Sequence, residues 1–361
     1  MKANSIAISF LACCLIATNA IGQNADQIKL KDYNPVSIYN IPHTTINRAK
    51  YPVIDLHTHD YLKSDGEVKQ WIARMDSCGI EKVVILSYST GKKFDSVMRR
   101  YGPFPDRFQV WCGFDYTGMD QPDWSKRAVA ELERCYKAGA RGVGELGDKG
   151  LGELYSNPTP GYGMHIDDPR MKPLLAKCAE LHMPVSIHVS EDAWMYLKSD
   201  STNDGLMNAA TWKVDLSKKG ILGHDELIKT LENAVKENPK TVFIACHLAN
   251  SCADLTVLGK LLDRYPNLNA DIGARYGEIA SIPRFVKSFM EKYNGRLVYG
   301  TDMGNSLEMY RITFRILESA DEHFYLKDYF DYHWPLYGLD LSDETLKRIY
   351  HDNAWRLLGQ K

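Results

Sequence analysis

The chain lacks most of the features that would make it something other than an ordinary globular protein. It has no Cys-x-x-Cys pair, no repeat, no heptad pattern and no low-complexity run. It has no excess of one charge: 44 Lys and Arg stand against 46 Asp and Glu, a net charge of −2. That balance removes any electrostatic case for nucleic acid or an anionic membrane surface as a partner. Cysteine is sparse, 8 in 361 residues, and Cys13 and Cys14 fall in the N-terminal apolar stretch. The other six (Cys78, Cys112, Cys135, Cys178, Cys246 and Cys252) are scattered through apolar patterns. A chain of this size does not need staples, so buried free thiols are expected, although an exported protein could form disulfides. Long apolar runs are missing too. Residues 6–17 form a short one, insufficient for a bilayer span. With Lys2 before it and small residues at Thr18-Asn19-Ala20 and Ala20-Ile21-Gly22, it reads as a secretory signal peptide, residues 1–22. Leu11-Ala12-Cys13-Cys14 loosely matches a lipoprotein signal, but the apolar run continues to Ala17, which favours the simple leader. The expected address is therefore periplasmic or secreted, with no membrane-spanning segment in the mature chain.

What is present is a rhythm. Residues 23–50 are polar and irregular and read as an N-terminal arm. From 51 to 361 short apolar strands are expected at 53–57, 82–86, 108–114, 142–146, 184–189, 241–247, 268–272 and 296–302. Amphipathic helices are expected between them, at 67–78, 124–137, 168–182, 225–237, 254–265 and 282–293, with a closing helix at 342–358. Continuous apolar strands alternating with helices suit a covered parallel sheet, and eight such units over this length suit a (β/α)8 TIM barrel, an α/β fold. A doubly wound open sheet is the alternative. It would spread the polar strand ends along an edge, whereas a barrel gathers them at one mouth.

Those ends carry the chemistry. Tyr51–Asp60 reads YPVIDLHTHD, and alternation along a strand puts His57 and His59 on one face, where two imidazoles can hold one divalent cation. His188, His247, Glu145 and Asp302 close four later strands. A carboxylate at a buried strand tip is costly unless paired or bound to metal; for Glu145 a salt bridge to a neighbouring strand is the structural alternative. Nitrogen and carboxylate donors without thiolate suit Zn²⁺ first, with Mn²⁺ or Fe²⁺ as options. Such an ion would activate a water and polarise a carbonyl, with Asp302 passing the proton. His247, if not a ligand, would hold the substrate oxygen or assist that transfer.

The segments VIDLHTHD (53–60), GVGELGDKG (142–150), DDPRMKPLLAKCAELHMPVSIHV (167–189), VFIACHLAN (242–250), LVYGTDMG (297–304) and LKRIYHDNAWRLLG (346–359) together resemble the amidohydrolase superfamily, in its amidohydrolase-related branch. The resemblance implies a distorted (β/α)8 barrel holding one or two divalent metals. It implies His57, His59 and His188 as metal ligands, Asp302 as ligand and proton carrier, and His247 beside metal and substrate. Glu145 falls where some members place a bridging lysine or a carboxylate; with no lysine there, one ion per chain is the expectation. The branch contains hydrolases of lactones, esters and amides and also non-oxidative decarboxylases. Export favours a hydrolase acting on a small molecule. A metal-dependent decarboxylase is the second reading and a binding protein that has lost turnover the third, which the intact set of donors disfavours.

Beyond the donors, residues 190–223 are too long for a simple connection and read as a lid carrying Trp194, Tyr196, Met207 and Trp212. Glu191, with Asp192, would bind substrate hydroxyls or cap a helix. Arg275 would pair with a substrate carboxylate, or with Glu278 or Asp271 in a structural ion pair. Trp194, Glu191 and Arg275 are thus the substrate-binding candidates. The aromatic stretch 324–337 is expected to pack under a loop or to meet a second copy in a homo-oligomer, with stacking on a ring substrate as the alternative.

Overall fold

A computed structural model describes residues 24–359, so the expected leader lies outside the described residues. The chain divides at Asn34. Before that point the described residues form two single 3₁₀ turns, Ala25–Gln27 and Leu30–Asp32. The second unit starts at Pro35, not at 51. Residues 37–50 are tied to it by Thr44, whose backbone N–H and hydroxyl both donate to Asp321, and by Lys50 N–H, which donates to Glu318.

Eight parallel strands make the barrel: β1 Val53–Thr58, β2 Ile80–Leu86, β3 Phe108–Trp111, β4 Val143–Asp148, β5 Val185–Val189, β6 Phe243–Ala245, β7 Leu268–Asp271 and β8 Leu297–Val298. They pair in two arcs, β1 to β3 and β4 to β8. A few backbone hydrogen bonds span the two seams. Cys112 N–H donates to Gly142 O and Gly144 N–H to Cys112 O between β3 and β4, while Leu56 N–H donates to Tyr299 O at the other seam. The strands β1, β4, β5, β6, β7 and β8 are buried throughout, because the interior and the helical layer cover both faces. Ile54, Leu56, Val84, Leu86, Trp111, Ile244 and Val298 pack on one another inside the ring. Ala354 and Leu357 join them from the final helix. That helix is held by Asn353, which donates to the Leu297 and Asn294 carbonyls.

Besides short ones, two helices of three turns escaped the expected pattern. Gly91–Tyr101 buries only Phe94, Val97 and Tyr101 among basic residues, so its apolar stripe is thin. Leu307–Glu318 follows the last strand and packs Tyr310, Phe314 and Leu317 onto the barrel. The lid stretch contains the short helix Leu206–Trp212, whose Ala209 packs with Met195 and Val214. The six cysteines among the described residues are buried and free.

Candidate metal centre

The register of β1 on β2 slips between Asp55 and Thr58. Such a bulge re-aims a side chain at a barrel rim. Here it brings His57 toward the mouth together with His59, the rings meeting edge to face with centroids 5.5 Å apart. Asp55 fixes this strand to the last one. It accepts from Thr301 N–H at 3.0 Å, from the Thr301 hydroxyl at 2.6 Å and from His57 N–H at 3.2 Å. Burial pushes its carboxyl up to about 7 against those bonds.

Each of the four histidines has one ring nitrogen tied outward. His57 Nδ1 lies 2.9 Å from Asp271 Oδ2; His59 Nδ1 donates to Leu86 O at 2.9 Å; His247 Nδ1 donates to Gly273 O at 2.8 Å; His188 Nε2 donates to Ser190 O at 2.8 Å. Anchoring one nitrogen fixes the tautomer and leaves the other as a lone pair. Those lone pairs converge on Glu145 and Asp302. Glu145 Oε1 lies 3.0 Å from His188 Nδ1 and 3.2 Å from His247 Nε2. Its other oxygen lies 3.3 Å from His59 Nε2 and 3.7 Å from His57 Nε2. Asp302 Oδ1 is 3.0 Å from His59 Nε2 and 3.6 Å from His57 Nε2. His57 Nε2 is buried and makes no hydrogen bond. An orphaned nitrogen facing two carboxylates beyond hydrogen-bond reach is what a cation-binding donor set requires. The donor atoms of His57, His59 and Glu145 lie within 4.8 Å of one another, as do those of Glu145, His188 and His247, and of His57, His247 and Asp302. The donors fit a divalent cation.

In the metal-free protein, protons stand in for that charge. Burial lowers His59 and His188, but Asp302 and Glu145 outweigh it for the first and Glu145 and Glu191 for the second. They are carried up to about 10 and about 9. His247 goes the other way, lowered by burial and by His188 and Arg275. Burial would raise Asp302, yet His57 and His59 hold it down at about 2.

Backbone strain rings this mouth. Tyr88, Ser190, His247, Leu248, Ala249, Asn250, Ala274 and Asp302 all have positive φ, at 38°, 62°, 58°, 54°, 55°, 50°, 50° and 50°. Left-handed backbone costs a non-glycine residue about 1–2 kcal/mol, and strain of this kind clusters at functional sites. Close approach also demands glycine: a Cβ on Gly300 would lie 2.6 Å from the His57 Cβ.

Glu145, His188, His247 and Asp302 line a cavity of about 450 Å³. Its lining includes Tyr155, Met195, Trp212, Phe330 and Tyr332 beside Glu191 and Arg275. The Tyr155 ring lies where a side chain on Gly147 would be, 2.0 Å from that glycine's notional Cβ.

The structure brings together His57, His59, Glu145, His188, His247 and Asp302. Glu191 and Arg275 reach the wall above them, but both are engaged. Glu191 pairs with Lys149 and sits 3.8 Å from His188 Nε2. Arg275 pairs with Asp192 at 2.9 Å, lies 3.7 Å from Glu278 and donates to Asn250. Trp194 is outside the cavity lining; it packs on Tyr332 and Trp334 and against Gly205. The aromatic stretch packs as expected, with Phe324, Phe330 and Tyr332 in the core, and it also supplies Tyr329, Phe330 and Tyr332 to the cavity wall. Asp271 was the unexpected residue. It serves His57, and its Oδ1 accepts from His247 N–H at 3.0 Å and Gly273 N–H at 2.9 Å, rather than pairing with Arg275. The signal available in the sequence was its position, a lone acid ending an apolar strand.

The amidohydrolase family model matches residues 79–360, and the chain belongs to the amidohydrolase family. His57 and His59 precede the matched span. No curated protein matches the chain. Among solved structures it is similar to an uncharacterised TIM-barrel protein of Bordetella bronchiseptica, at 16% identity with a TM-score of 0.54, covering 86% of this chain and 99% of that one. It is similar to a dihydroxybenzoic acid decarboxylase of Polaromonas solved with manganese and 2-nitroresorcinol, at 13% identity, TM-score 0.51, covering 86% and 97%. It is also similar to the 5-carboxyvanillate decarboxylase of Novosphingobium aromaticivorans, solved with manganese, at 14% identity, TM-score 0.50, covering 88% and 100%. At these identities the likeness establishes the barrel fold. The family is metal-dependent, and the manganese in two of these relatives gives no support to zinc over manganese here.

Proposed function

We propose that this chain is a metal-dependent hydrolase of a small ester, lactone or amide that carries no acidic group at its reacting end. The observation that carries this reading is the state of the wall cations. Arg275 is held by Asp192, Glu278 and Asn250, and Lys149 by Glu191. Neither is free to take a substrate carboxylate, which a decarboxylase must recognise.

His57, His59 and Asp302 would hold metal on one side of Glu145, and His188 and His247 on the other. Because the two Glu145 oxygens face separate histidine pairs, these residues would suit two ions better than one. Bound metal supplies Lewis acidity and a nucleophilic water at neutral pH. Asp302, held ionised by His57 and His59, takes the proton of the attacking water and passes it to the leaving group. The Tyr155 hydroxyl meets no hydrogen-bond partner among the described residues. Burial, with Glu145 and Glu191 nearby, keeps it protonated, so it donates to the substrate oxygen as charge develops there. Tyr329, Phe330 and Tyr332 cover the floor and exclude water.

The test is a panel of esters and lactones followed by proton release and of amides followed by released amine, beside an aromatic-acid panel followed by CO₂ release. Proton or amine release without CO₂ supports hydrolysis; CO₂ release alone makes the protein a lyase, and silence in both makes it a binding protein. Export belongs to the same proposal, and a mature N-terminus near residue 23 on protein recovered outside the cytoplasm would support it.

A further inference from the structure

The cavity wall does not balance its charge. Glu191 and Glu278 line the cavity beside Lys149 and Arg275, with Asp192 buried behind them, and all three carboxylates are less than a tenth exposed. Lys149 pairs with Glu191 and Arg275 with Asp192. Glu278 shares its cation: the Arg275 guanidinium lies 3.7 Å away and is taken more closely by Asp192, at 2.9 Å. Its Oε1 accepts from the Tyr332 hydroxyl at 2.7 Å, and its Oε2 hydrogen-bonds no other residue among the described residues. Glu278 is 3% exposed and lines the cavity. Two buried carboxylates on one guanidinium leave a negative charge that is expensive unless something further neutralises it. Tyr332, Phe330, Tyr329 and Trp212 surround the same space with aromatic rings, whose faces attract cations.

We propose that Glu278 is the anchor for a substrate cation, a protonated amine remote from the scissile carbonyl, received between this carboxylate and the aromatic wall. This deepens the hydrolase reading and rests on its cavity being the substrate site. Without ligand the charge problem is met by a proton: burial, together with Asp192, lifts the Glu278 carboxyl to about 7 despite Arg275. A bound ammonium would replace that proton. The same arrangement repels an aromatic carboxylate of the kind that a decarboxylase takes.

The experiment is calorimetric titration of the metal-loaded protein at pH 8 with benzylamine, which is protonated there, and with benzyl alcohol, nearly the same shape without the charge. Wild type should bind the ammonium about tenfold or more tightly, as a charged hydrogen bond in a dry site warrants. In Glu278→Gln, which keeps an acceptor for Tyr332, that preference should collapse while the alcohol binds as before. Equal binding of the two probes by wild type overturns the proposal, whatever becomes of the variant, and so does a preference that survives in Glu278→Gln. Neither probe has a bond to hydrolyse, so this result is independent of the turnover panel: a failed ammonium preference leaves the hydrolase reading standing, and a silent panel leaves the titration interpretable.

Discussion

Asp271→Asn should disable metal binding while leaving the barrel folded. Asp271 uses one oxygen for the backbone N–H groups of His247 and Gly273, at 3.0 and 2.9 Å, and the other for His57 Nδ1 at 2.9 Å. Asparagine can keep only one oxygen. Two backbone donors hold that oxygen where it is, so the new NH₂ turns toward His57. The imidazole must then accept at Nδ1 and carry its proton on Nε2, the atom aimed at Glu145 and Asp302. A ligand nitrogen bearing a proton is lost to the metal. Loss of a carboxylate behind a ligating histidine typically costs 10- to 100-fold in metal affinity, or about 1.4–2.8 kcal/mol. The assay is competition against a chromophoric chelator, with a melting curve of the metal-free protein beside it. Weakened affinity with a near-normal melt is expected. Unchanged affinity would refute the tautomer argument.

Three further outcomes follow from the same geometry. Gly300→Ala pushes a methyl to within 2.6 Å of the His57 Cβ; it should cost about 1–3 kcal/mol by overpacking, read as a fall of several degrees in Tm, and an unchanged Tm would mean the seam gives way freely. Asp302→Asn should lower kcat on the best ester or lactone by about 100-fold or more with little change in Tm; retained turnover would remove Asp302 as proton carrier. The third concerns pH. His59 and His188 are raised to about 10 and about 9, so their contribution to the stability of the metal-free fold is complete below about pH 6.5 and disappears as pH rises through 9 to 10. Melts in chelator should therefore weaken on the alkaline side, while the metal-loaded protein, whose histidines have already given up those protons, should not show that loss; parallel curves would contradict the assignment.

Much of this was legible in the chain because apolar runs and their terminal residues are local signals. Strands form near all eight expected stretches, and the six donors meet at one mouth, although Glu145 lies inside β4 and His247 and Asp302 lie beyond the ends of β6 and β8. The last strand is the instructive exception. A run at 296–302 was expected, but only Leu297–Val298 pairs as strand, because the chain turns at Asp302 with φ 50° and donates its N–H to His57 O. Residues whose role depends on long-range partners were harder. Asp271 looks like an ion-pair residue until β1 and β7 meet. The aromatic run near 330 reads as packing until Leu206–Trp212 is placed opposite it, with Asn208 donating to Phe330 O. Arg275 looks like an anion receptor until Asp192, distant in sequence, is found against it. Trp194 carries an aromatic signal that the fold uses in packing with Trp334.

The central claim is that the strand-end cluster is a working metal centre divided by Glu145. Elemental analysis of the purified mature protein tests it most directly, beside a His57→Ala/His59→Ala variant. The account predicts about two divalent ions per chain in wild type, as in shared-carboxylate sites, and about one in the variant, which keeps His188 and His247. A single ion in wild type would contradict the division at Glu145. No metal in either protein after reconstitution would contradict the centre itself.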